Sequence, residues 1–112
     1  MTLDQMGLGF GRFMTLLSQR QELIASNIAN ADTPGFKTED LQIPSDFATA
    51  MADSGVMIES PDLPSRNDGN NVSVDREARL LAENTLKFNV AAQMLRGEIK
   101  GIRSAIEEGR AS

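Results

Sequence analysis

Apolar residues recur along the first quarter of the chain with an alternating spacing of four and three, which places them on one side of an α-helix. The pattern covers residues 5–31, and two polar residues, Arg20 and Asn27, interrupt it. Its positions are Met6, Phe10, Phe13, Leu17, Arg20, Ile24, Asn27 and Ala31. We therefore predict a long amphipathic first helix that packs against another helix along this stripe.

A second stripe with the same spacing lies near the other end of the chain, over residues 75–108. Its positions are Leu81, Thr85, Phe88, Ala92, Leu95, Ile99, Ile102 and Ile106. Asp75 is a favourable residue for the start of a helix, and Gly109 is a favourable residue for its end. The pattern predicts a second long helix between these two residues.

The segment between the two stripes, residues 32–71, contains all four prolines and reads as irregular. Residues 36–43 and 56–58 are candidates for extended segments, and residues 46–52 for a short helix. The run Thr33-Pro34-Gly35-Phe36 predicts a type II turn that ends the first helix, because the residue before a proline avoids the helical conformation.

These patterns together predict a mainly α fold, in which the two terminal helices pack as an antiparallel, coiled-coil-like hairpin. Residues 1–31 and 72–112 would form one helical assembly domain, and residues 32–71 an irregular or short-β insert. Both apolar stripes are wider than the seam of a two-helix contact, so part of each would remain exposed. An exposed apolar stripe indicates further protein partners.

The composition argues against several classes of function. Histidine and cysteine are both missing from the 112 residues, which excludes the usual zinc sites, thiol nucleophiles and Ser-His pairs. We therefore expect no catalytic residues, no metal, no cofactor and no small-molecule substrate. The net charge of −5 and the scattered basic residues argue against nucleic acid.

The sequence also carries no pattern of a membrane helix or of a cleaved secretory signal. No apolar run approaches the roughly 20 residues that cross a bilayer. Asp4 stands where a signal peptide would have its basic region, and glycines interrupt the apolar residues that follow. We expect any export from the cytoplasm to use another route.

Two groups of residues are unusual for the interior of a helix. Ser26, Asn27 and Asn30 come just before the predicted turn, and they form either a simple helix ending or a polar patch that a partner contacts. An asparagine at a stripe position, such as Asn27, typically sets the register between helices. Gly97 and Gly101 on the second helix favour a groove of small residues for the close approach of another helix over tolerated surface glycines.

The helix ending carries a resemblance to a known family. The run "ASNIANADTPGFK" at residues 25–37 resembles the N-terminal signature of bacterial flagellar axial proteins, which form the rod, the hook and the hook-associated structures. A second run, "DGNNVSVDREARLLAENTLKFNVAAQMLRGEIKGIRSAI" at residues 68–106, resembles the C-terminal half of proximal rod subunits of that family. Together the two runs cover the end of the first predicted helix, the turn and most of the second predicted helix.

The resemblance implies a structural subunit of the proximal rod of the flagellar basal body. Such subunits assemble helically into a hollow drive shaft, which transmits torque and passes exported subunits. The implied location is the rod in the periplasmic space, reached through the flagellar type III export apparatus without a cleaved signal peptide. The implied partners are other copies of the chain, the rod subunits FlgC and FlgF, the rod adaptor FliE and the export gate.

Two alternatives remain beside this interpretation: another rod subunit of the same family, and a cytosolic helical-hairpin adaptor. Under the rod interpretation, assembly contacts come from the helix-end signature and from both stripes. In the signature the predicted contact residues are Ser26, Asn27, Ile28, Asn30, Pro34, Gly35 and Phe36. On the helices they are Phe13, Leu17, Ile24, Phe88, Leu95, Gly97, Ile99, Gly101, Ile102 and Ile106.

Overall fold

The computed structural model describes residues 2–43 and 58–111. Two long helices, α1 (Leu3–Ala29) and α2 (Val74–Ala111), pack against each other in an antiparallel hairpin. Two short strands, β1 (Asp40–Leu41) and β2 (Ile58–Glu59), pair antiparallel between them. The structure confirms the predicted mainly α hairpin with a short-β insert, whereas the helix predicted at residues 46–52 lies outside the described residues.

A capping box starts α1 two residues earlier than the apolar pattern predicts. The backbone N–H of Gln5 donates to the Thr2 hydroxyl oxygen at 3.1 Å, and the Thr2 N–H donates to the Gln5 side-chain oxygen at 2.8 Å. These two bonds satisfy N–H groups that a helix start otherwise leaves unpaired. Asp4 in the first turn adds a negative charge at the positive end of the helix dipole.

The predicted type II turn follows the end of α1 and is confirmed. The backbone N–H of Phe36 donates to the Thr33 carbonyl at 3.2 Å, and Gly35 has a φ of +76°. A positive φ at the third residue is what distinguishes this turn, and glycine adopts it without a steric penalty. The turn reverses the chain, so that β1 runs back along the last turns of α1.

We expect Gly35→Ala to destabilise the protein by about 1–2 kcal/mol, because the alanine Cβ disfavours the left-handed conformation. Gly11→Ala is the matched control. Gly11 lies within α1, and a Cβ there would meet nothing within 4 Å. This second substitution should stabilise the protein by about 0.5–1 kcal/mol. Urea denaturation followed by circular dichroism measures both changes, and equal effects of the two variants would contradict the prediction.

Both predicted ends of α2 are wrong. The backbone N–H of Arg76 donates to the Ser73 hydroxyl oxygen at 3.3 Å, so Ser73 caps the helix and Asp75 lies inside its first turn. At the other end, α2 continues through Gly109 to Ala111. Gly109 does not have the positive φ that a helix-ending glycine adopts.

The α1 side of the hairpin contact follows the predicted stripe. Phe10, Leu17 and Ile24 are buried at successive seven-residue intervals, and Asn27 is 1% exposed. With Leu41 of the insert and Val72 just before α2, the apolar residues of this row form much of the small apolar core of the described residues.

On α2, only part of the predicted stripe lies in the contact with α1. Its half-buried positions Leu81, Phe88, Leu95 and Ile102 belong to the predicted stripe. The fully buried positions on this side are instead Glu77, Asn84 and Ala91. Of the four other predicted positions, Ala92 is half-buried, whereas Thr85 is exposed, Ile99 is 43% exposed and Ile106 is 52% exposed. The prediction that Ile99 and Ile106 line the contact with α1 is therefore wrong, and Thr85 lies at the edge of the contact, where it lines a cavity with Leu17 and Gln21.

The reason for the difference is that two polar side chains occupy the seam. The side-chain amide of Asn84 donates to the Leu17 carbonyl at 2.8 Å and to the Gln21 side-chain oxygen at 3.0 Å. Glu77 is bound by Asn27 of α1 at 3.2 Å. These hydrogen bonds offset the cost of burying polar groups, and a pattern of apolar residues contains no sign of them.

Candidate assembly site

Buried polar side chains cluster where the end of α1, the turn, β1 and the start of α2 meet. We call this cluster the polar junction. Its buried members are Asn27, Thr38, Asp40, Asn70, Asn71 and Glu77. Most pairs that bond here are more than ten residues apart in sequence, so the junction holds segments together that the helix contact alone does not.

Asn27 connects three segments at the centre of the junction. Its side-chain NH₂ donates to the Glu39 carbonyl at 2.8 Å and to the Glu77 carboxylate at 3.2 Å, and its side-chain oxygen accepts the Glu39 N–H at 3.1 Å. The amide thus pairs with the Glu39 backbone much as a neighbouring strand would. Because Asn27 lies on the α1 stripe, these bonds fix the register of α1 against both the insert and α2.

Asn70 joins the turn after α1 to the segment before α2. Its NH₂ donates to the carbonyls of Asn30 and Thr33 at 2.9 and 2.8 Å, and its side-chain oxygen accepts the Val72 N–H at 2.8 Å. Asn70 thereby adds a second hydrogen bond to each of these two carbonyls, which already accept the backbone N–H groups of Thr33 and Phe36. Arg66 also donates to two carbonyls here, those of Ala31 and Val72.

Asn71 continues the same connection towards β1. Its side-chain oxygen accepts the Thr38 N–H at 2.6 Å, and its backbone N–H donates to the Phe36 carbonyl at 3.2 Å. Thr38 returns a hydroxyl bond to the Asn71 carbonyl at 3.3 Å. The segments before β1 and before α2 are therefore paired almost as strands are.

Four charged side chains complete the junction. Arg20 binds Asp40 through two parallel bonds of 2.9 and 3.1 Å. Arg76 bridges Asp40 at 3.3 Å and Glu77 at 2.9 Å. Burial by itself raises the pKa of Asp40, but the bonds and charge of Arg20, with smaller contributions from the Leu41 N–H and Arg76, hold it below its ordinary value of 3.8.

A lowered pKa makes Asp40 a source of acid sensitivity. A carboxyl group whose pKa is lower in the folded state stabilises the fold above its unfolded pKa, and this contribution is lost as the pH falls through its folded pKa. We expect the stability difference between the wild type and Asp40→Asn to be constant near neutral pH and to shrink below pH 3.8. Urea denaturation at a series of pH values measures it, with the exposed Asp62→Asn as control; a difference that does not change with pH would contradict the prediction.

The structure separates the signature residues that the sequence groups together. Asn27 faces α2 and is buried, whereas Ser26 and Ile28 are exposed. Asn30 is half-buried, and its side chain donates to the Ser26 carbonyl and accepts the Thr33 hydroxyl, so it closes the end of its own helix. The three polar residues therefore do not form a single surface, and Asn27 is bonded within the chain.

The polar junction includes several residues that sequence analysis did not single out, namely Thr38, Asp40, Asn70, Asn71 and Glu77. One signal was available for two of them: consecutive asparagines directly before a helix are typical of a turn whose side chains bond to the backbone. Asp40 and Glu77 carried no such signal, because an isolated carboxylate on an amphipathic chain is normally exposed.

A second surface lies on the outer side of α2. Leu86, Val90 and Met94 are spaced by four residues, and Leu86 is 65% exposed. Together with Phe13 and Leu41 they line an open groove of about 640 Å³. We call this row of α2 side chains the outer stripe.

Gly97 and Gly101 continue the outer stripe towards the end of α2, three and seven residues after Met94. Both are exposed, and a Cβ at either position would meet nothing within 4 Å. They are therefore not required for the contact between α1 and α2, and their role in the approach of another helix stays a prediction. Neither described helix is long and apolar enough to cross a membrane.

Comparison with known proteins gives the class of protein. The family model described as flagella basal body rod protein matches residues 14–37, which comprise the second half of α1, the turn and the start of the return segment. The matched residues include Asn27 and the type II turn that contains Gly35. The class indicated by this match is the flagellar basal body rod protein.

Curated relatives extend the similarity to most of the chain. The flagellar basal body rod protein FlgB of Yersinia enterocolitica is 34% identical over 86% of this chain and 89% of its own length. FlgB of Escherichia coli K12 is 33% identical over 86% and 88%, and that of Cereibacter sphaeroides is 30% identical over 93% and 94%. The chain belongs to the FlgB family of flagellar basal body rod proteins. It is a structural subunit of the rod, which confirms the resemblance of residues 25–37 and 68–106.

Proposed function

We propose that the chain is a proximal rod subunit that assembles helically, through its exposed apolar surface, into the hollow shaft that transmits torque and passes exported subunits. The observation that carries the proposal is the outer stripe: a hairpin of two helices leaves Leu86, Val90 and Met94 outside its own contact. Exposing a row of apolar side chains is unfavourable in water, so contact with another subunit would stabilise it.

The shape of the chain supports the proposal. The chain measures 71 × 23 × 16 Å, with both helices running along its length. Elongated subunits that overlap side by side share long contacts, which suits a shaft under torsion. Contacts between different surfaces of successive copies do not close into a ring and can continue as a helix. Residues 1–31 and 72–112 would supply these contacts, with residues 32–71 as the insert.

The finer parts of the proposal concern neighbours and route. We propose contacts with other copies of the chain, with the rod subunits FlgC and FlgF, with the adaptor FliE and with the export gate. The location would be the periplasmic rod, reached by type III export without a cleaved signal peptide. The small core of the described residues supports export in an unfolded state, because few of their apolar side chains are buried and need to be exposed for unfolding. Sequencing the N-terminus of the protein from purified basal bodies tests for cleavage.

We expect the double variant Leu86→Ser/Val90→Ser to fold but not to form rods. Both side chains are exposed, and surface substitutions usually change stability by less than about 0.5 kcal/mol. Expressed in a strain that lacks the wild-type chain, the variant should abolish swimming and leave basal bodies without rods in electron micrographs. The matched control is Asn89→Ser/Gln93→Ser, which alters exposed polar residues of the same helix. Normal rods in the Leu86/Val90 variant would refute the proposal.

Location separates this function from the remaining alternative, a cytosolic helical-hairpin adaptor. The rod interpretation requires the chain in purified hook–basal bodies, in a constant ratio to the other rod proteins. Exclusive recovery from the cytosolic fraction would favour the adaptor. The alternative of another rod subunit is disfavoured by the relatives compared above, which carry the FlgB name.

A further inference from the structure

Glu98 is a charged residue at the edge of the contact between the helices, near the start of α1. It follows Ala91 by seven residues and continues the seam of α2. A Cβ placed on Gly7 of α1 would lie 3.6 Å from one oxygen of the Glu98 carboxylate. The carboxylate is therefore packed beside the first turns of α1 and does not extend into solvent.

The surroundings of this carboxylate are apolar. Glu98 lines an open cavity of about 520 Å³ together with Met6, Phe10, Met94, Gly101 and Ile102. Its second carboxylate oxygen, Oε2, is buried and has no hydrogen-bond partner among the residues that the structure describes. We call this cavity with its carboxylate the Glu98 socket.

Glu77 is a second carboxylate on the same seam, at the opposite end of the hairpin, and its surroundings differ from those of Glu98. Glu77 is fully buried, and it is bonded to both Asn27 and Arg76. An ionised carboxylate in an apolar environment is costly unless a donor or a positive charge compensates it. The Glu98 socket lacks such a compensating group among the described residues. Its carboxylate is therefore suited to bind a donor or a positive charge from another chain.

We propose that the Glu98 socket binds an arginine or lysine side chain from a second copy of this chain. The apolar walls fit the aliphatic part of such a side chain, and the carboxylate at the seam pairs with its charged end. This inference rests on the self-association proposed above and names one contact that would orient successive copies.

The chain itself carries the complementary charges. Arg96, Lys100 and Arg103 lie on the same stretch of α2 and are exposed. Arg96 precedes Glu98 by two residues, and Lys100 and Arg103 follow it by two and five. Residues at these spacings lie on different sides of a helix, so none of the three side chains reaches the Glu98 socket of its own chain. Within the described residues none of the three forms an ion pair. A copy displaced against its neighbour can therefore offer one of these cations to the Glu98 socket.

The first test replaces the carboxylate with an apolar side chain. We expect Glu98→Leu to maintain or raise the midpoint of thermal unfolding of the purified chain, because it removes a buried carboxylate oxygen that has no hydrogen-bond partner among the described residues. In a strain without the wild-type chain, the variant should lower the rod content of basal bodies about tenfold or more, since the incoming cation loses its partner. Glu108→Leu, at an exposed position of the same helix, is the control. Wild-type rod content in Glu98→Leu would overturn the proposal.

The second test identifies the occupant. Glu98→Arg should block assembly, and combining it with Arg96→Glu, Lys100→Glu or Arg103→Glu in the same chain should restore rods for one of the three, because every copy then carries the exchanged pair. If none of these three exchanges restores rods, none of the three cations is the occupant and the proposal in this form is overturned. Loss of rods in the Leu86/Val90 variant together with normal rods in Glu98→Leu would refute the socket alone, leaving the proposed function in place.

A cross-link provides a measurement that does not depend on motility. The chain has no cysteine, so single cysteines introduced at residue 98 and at the rescuing position report only the designed contact. A short bis-maleimide is the suitable reagent, because two long side chains that meet end to end hold their Cα atoms farther apart than the roughly 7 Å that a disulfide can bridge. A cross-link between copies in basal bodies from cells that express both single-cysteine chains supports the proposal. Its absence, where both chains are incorporated into rods, contradicts it.

Discussion

Leu17→Ala is expected to lower the free energy of unfolding by about 2–5 kcal/mol, because truncating a buried leucine loses apolar burial and leaves a cavity. Leu17 has no exposed surface and lies midway along the buried row of α1. Its carbonyl also accepts the Asn84 side-chain amide at 2.8 Å, so a shift of α1 into the cavity would disturb that bond. For a domain with so few buried apolar residues, this loss is a large fraction of the total stability.

Urea denaturation of the purified chain, followed by circular dichroism at 222 nm, measures the loss, with Leu8→Ala as the control on the same helix. Leu8 is 61% exposed, so its truncation should change the free energy of unfolding by no more than about 0.5 kcal/mol. Similar effects of the two substitutions would mean that α1 does not bury the side containing Leu17 in solution.

Asn27→Ala is expected to destabilise the chain by about 2–3 kcal/mol, although it replaces a polar residue with a better helix former. The substitution removes three hydrogen bonds and leaves the Glu39 N–H and carbonyl, and one oxygen of the buried Glu77, without this partner. Unpaired buried polar groups account for the cost. The exposed amide Gln19→Ala in the same helix is the control and should be neutral or slightly stabilising.

A double-mutant cycle can isolate the contact between Asn27 and Glu77. If the two side chains act together, the double alanine variant should be more stable than the sum of the single losses predicts, with a coupling of about 0.5–3 kcal/mol. Denaturation curves of the four proteins are sufficient. Additive losses would mean that Asn27 acts through the Glu39 backbone alone.

The position of Asn27 changes the interpretation of the signature in this family. Because its side chain is bonded within the chain, loss of rods after Asn27→Ala would follow first from a weakened fold. Exposed members of the signature, such as Ser26 and Ile28, are the better candidates for direct contact with a neighbouring subunit. For Asn27 the structure shows only bonds within the chain, to Glu39 and Glu77.

The type II turn and the α1 contact could be predicted because each depends on residues close together in sequence. Pro34 and Gly35 are the two central residues of the turn, and glycine in the second of these positions adopts the positive φ that the turn requires. The buried residues of α1 from Phe10 to Ile24 repeat every seven residues. The family could be recognised for the same reason, since residues 25–37 form one continuous run.

The contact side of α2 could not be predicted in this way. The shared positions Leu81, Phe88, Leu95 and Ile102 leave two choices for the other half of the seam. One choice contains Ile99 and Ile106 and is the more apolar; the other contains Glu77 and Asn84. Burial of apolar area favours the first choice, and the structure adopts the second.

By itself, the sequence determined two amphipathic helices, the turn between the first helix and the insert, and the family. Only the tertiary structure decided which side of α2 faces α1, because Asn27 and Leu17, the partners on α1 of Glu77 and Asn84, lie 50 and 67 residues away from them in sequence. Hydrogen bonds to these partners offset part of the cost of burying the polar side chains, and this arrangement leaves Leu86, Val90 and Ile106 exposed. The same long-range bonds thus produce both the polar junction and the apolar surface available for assembly.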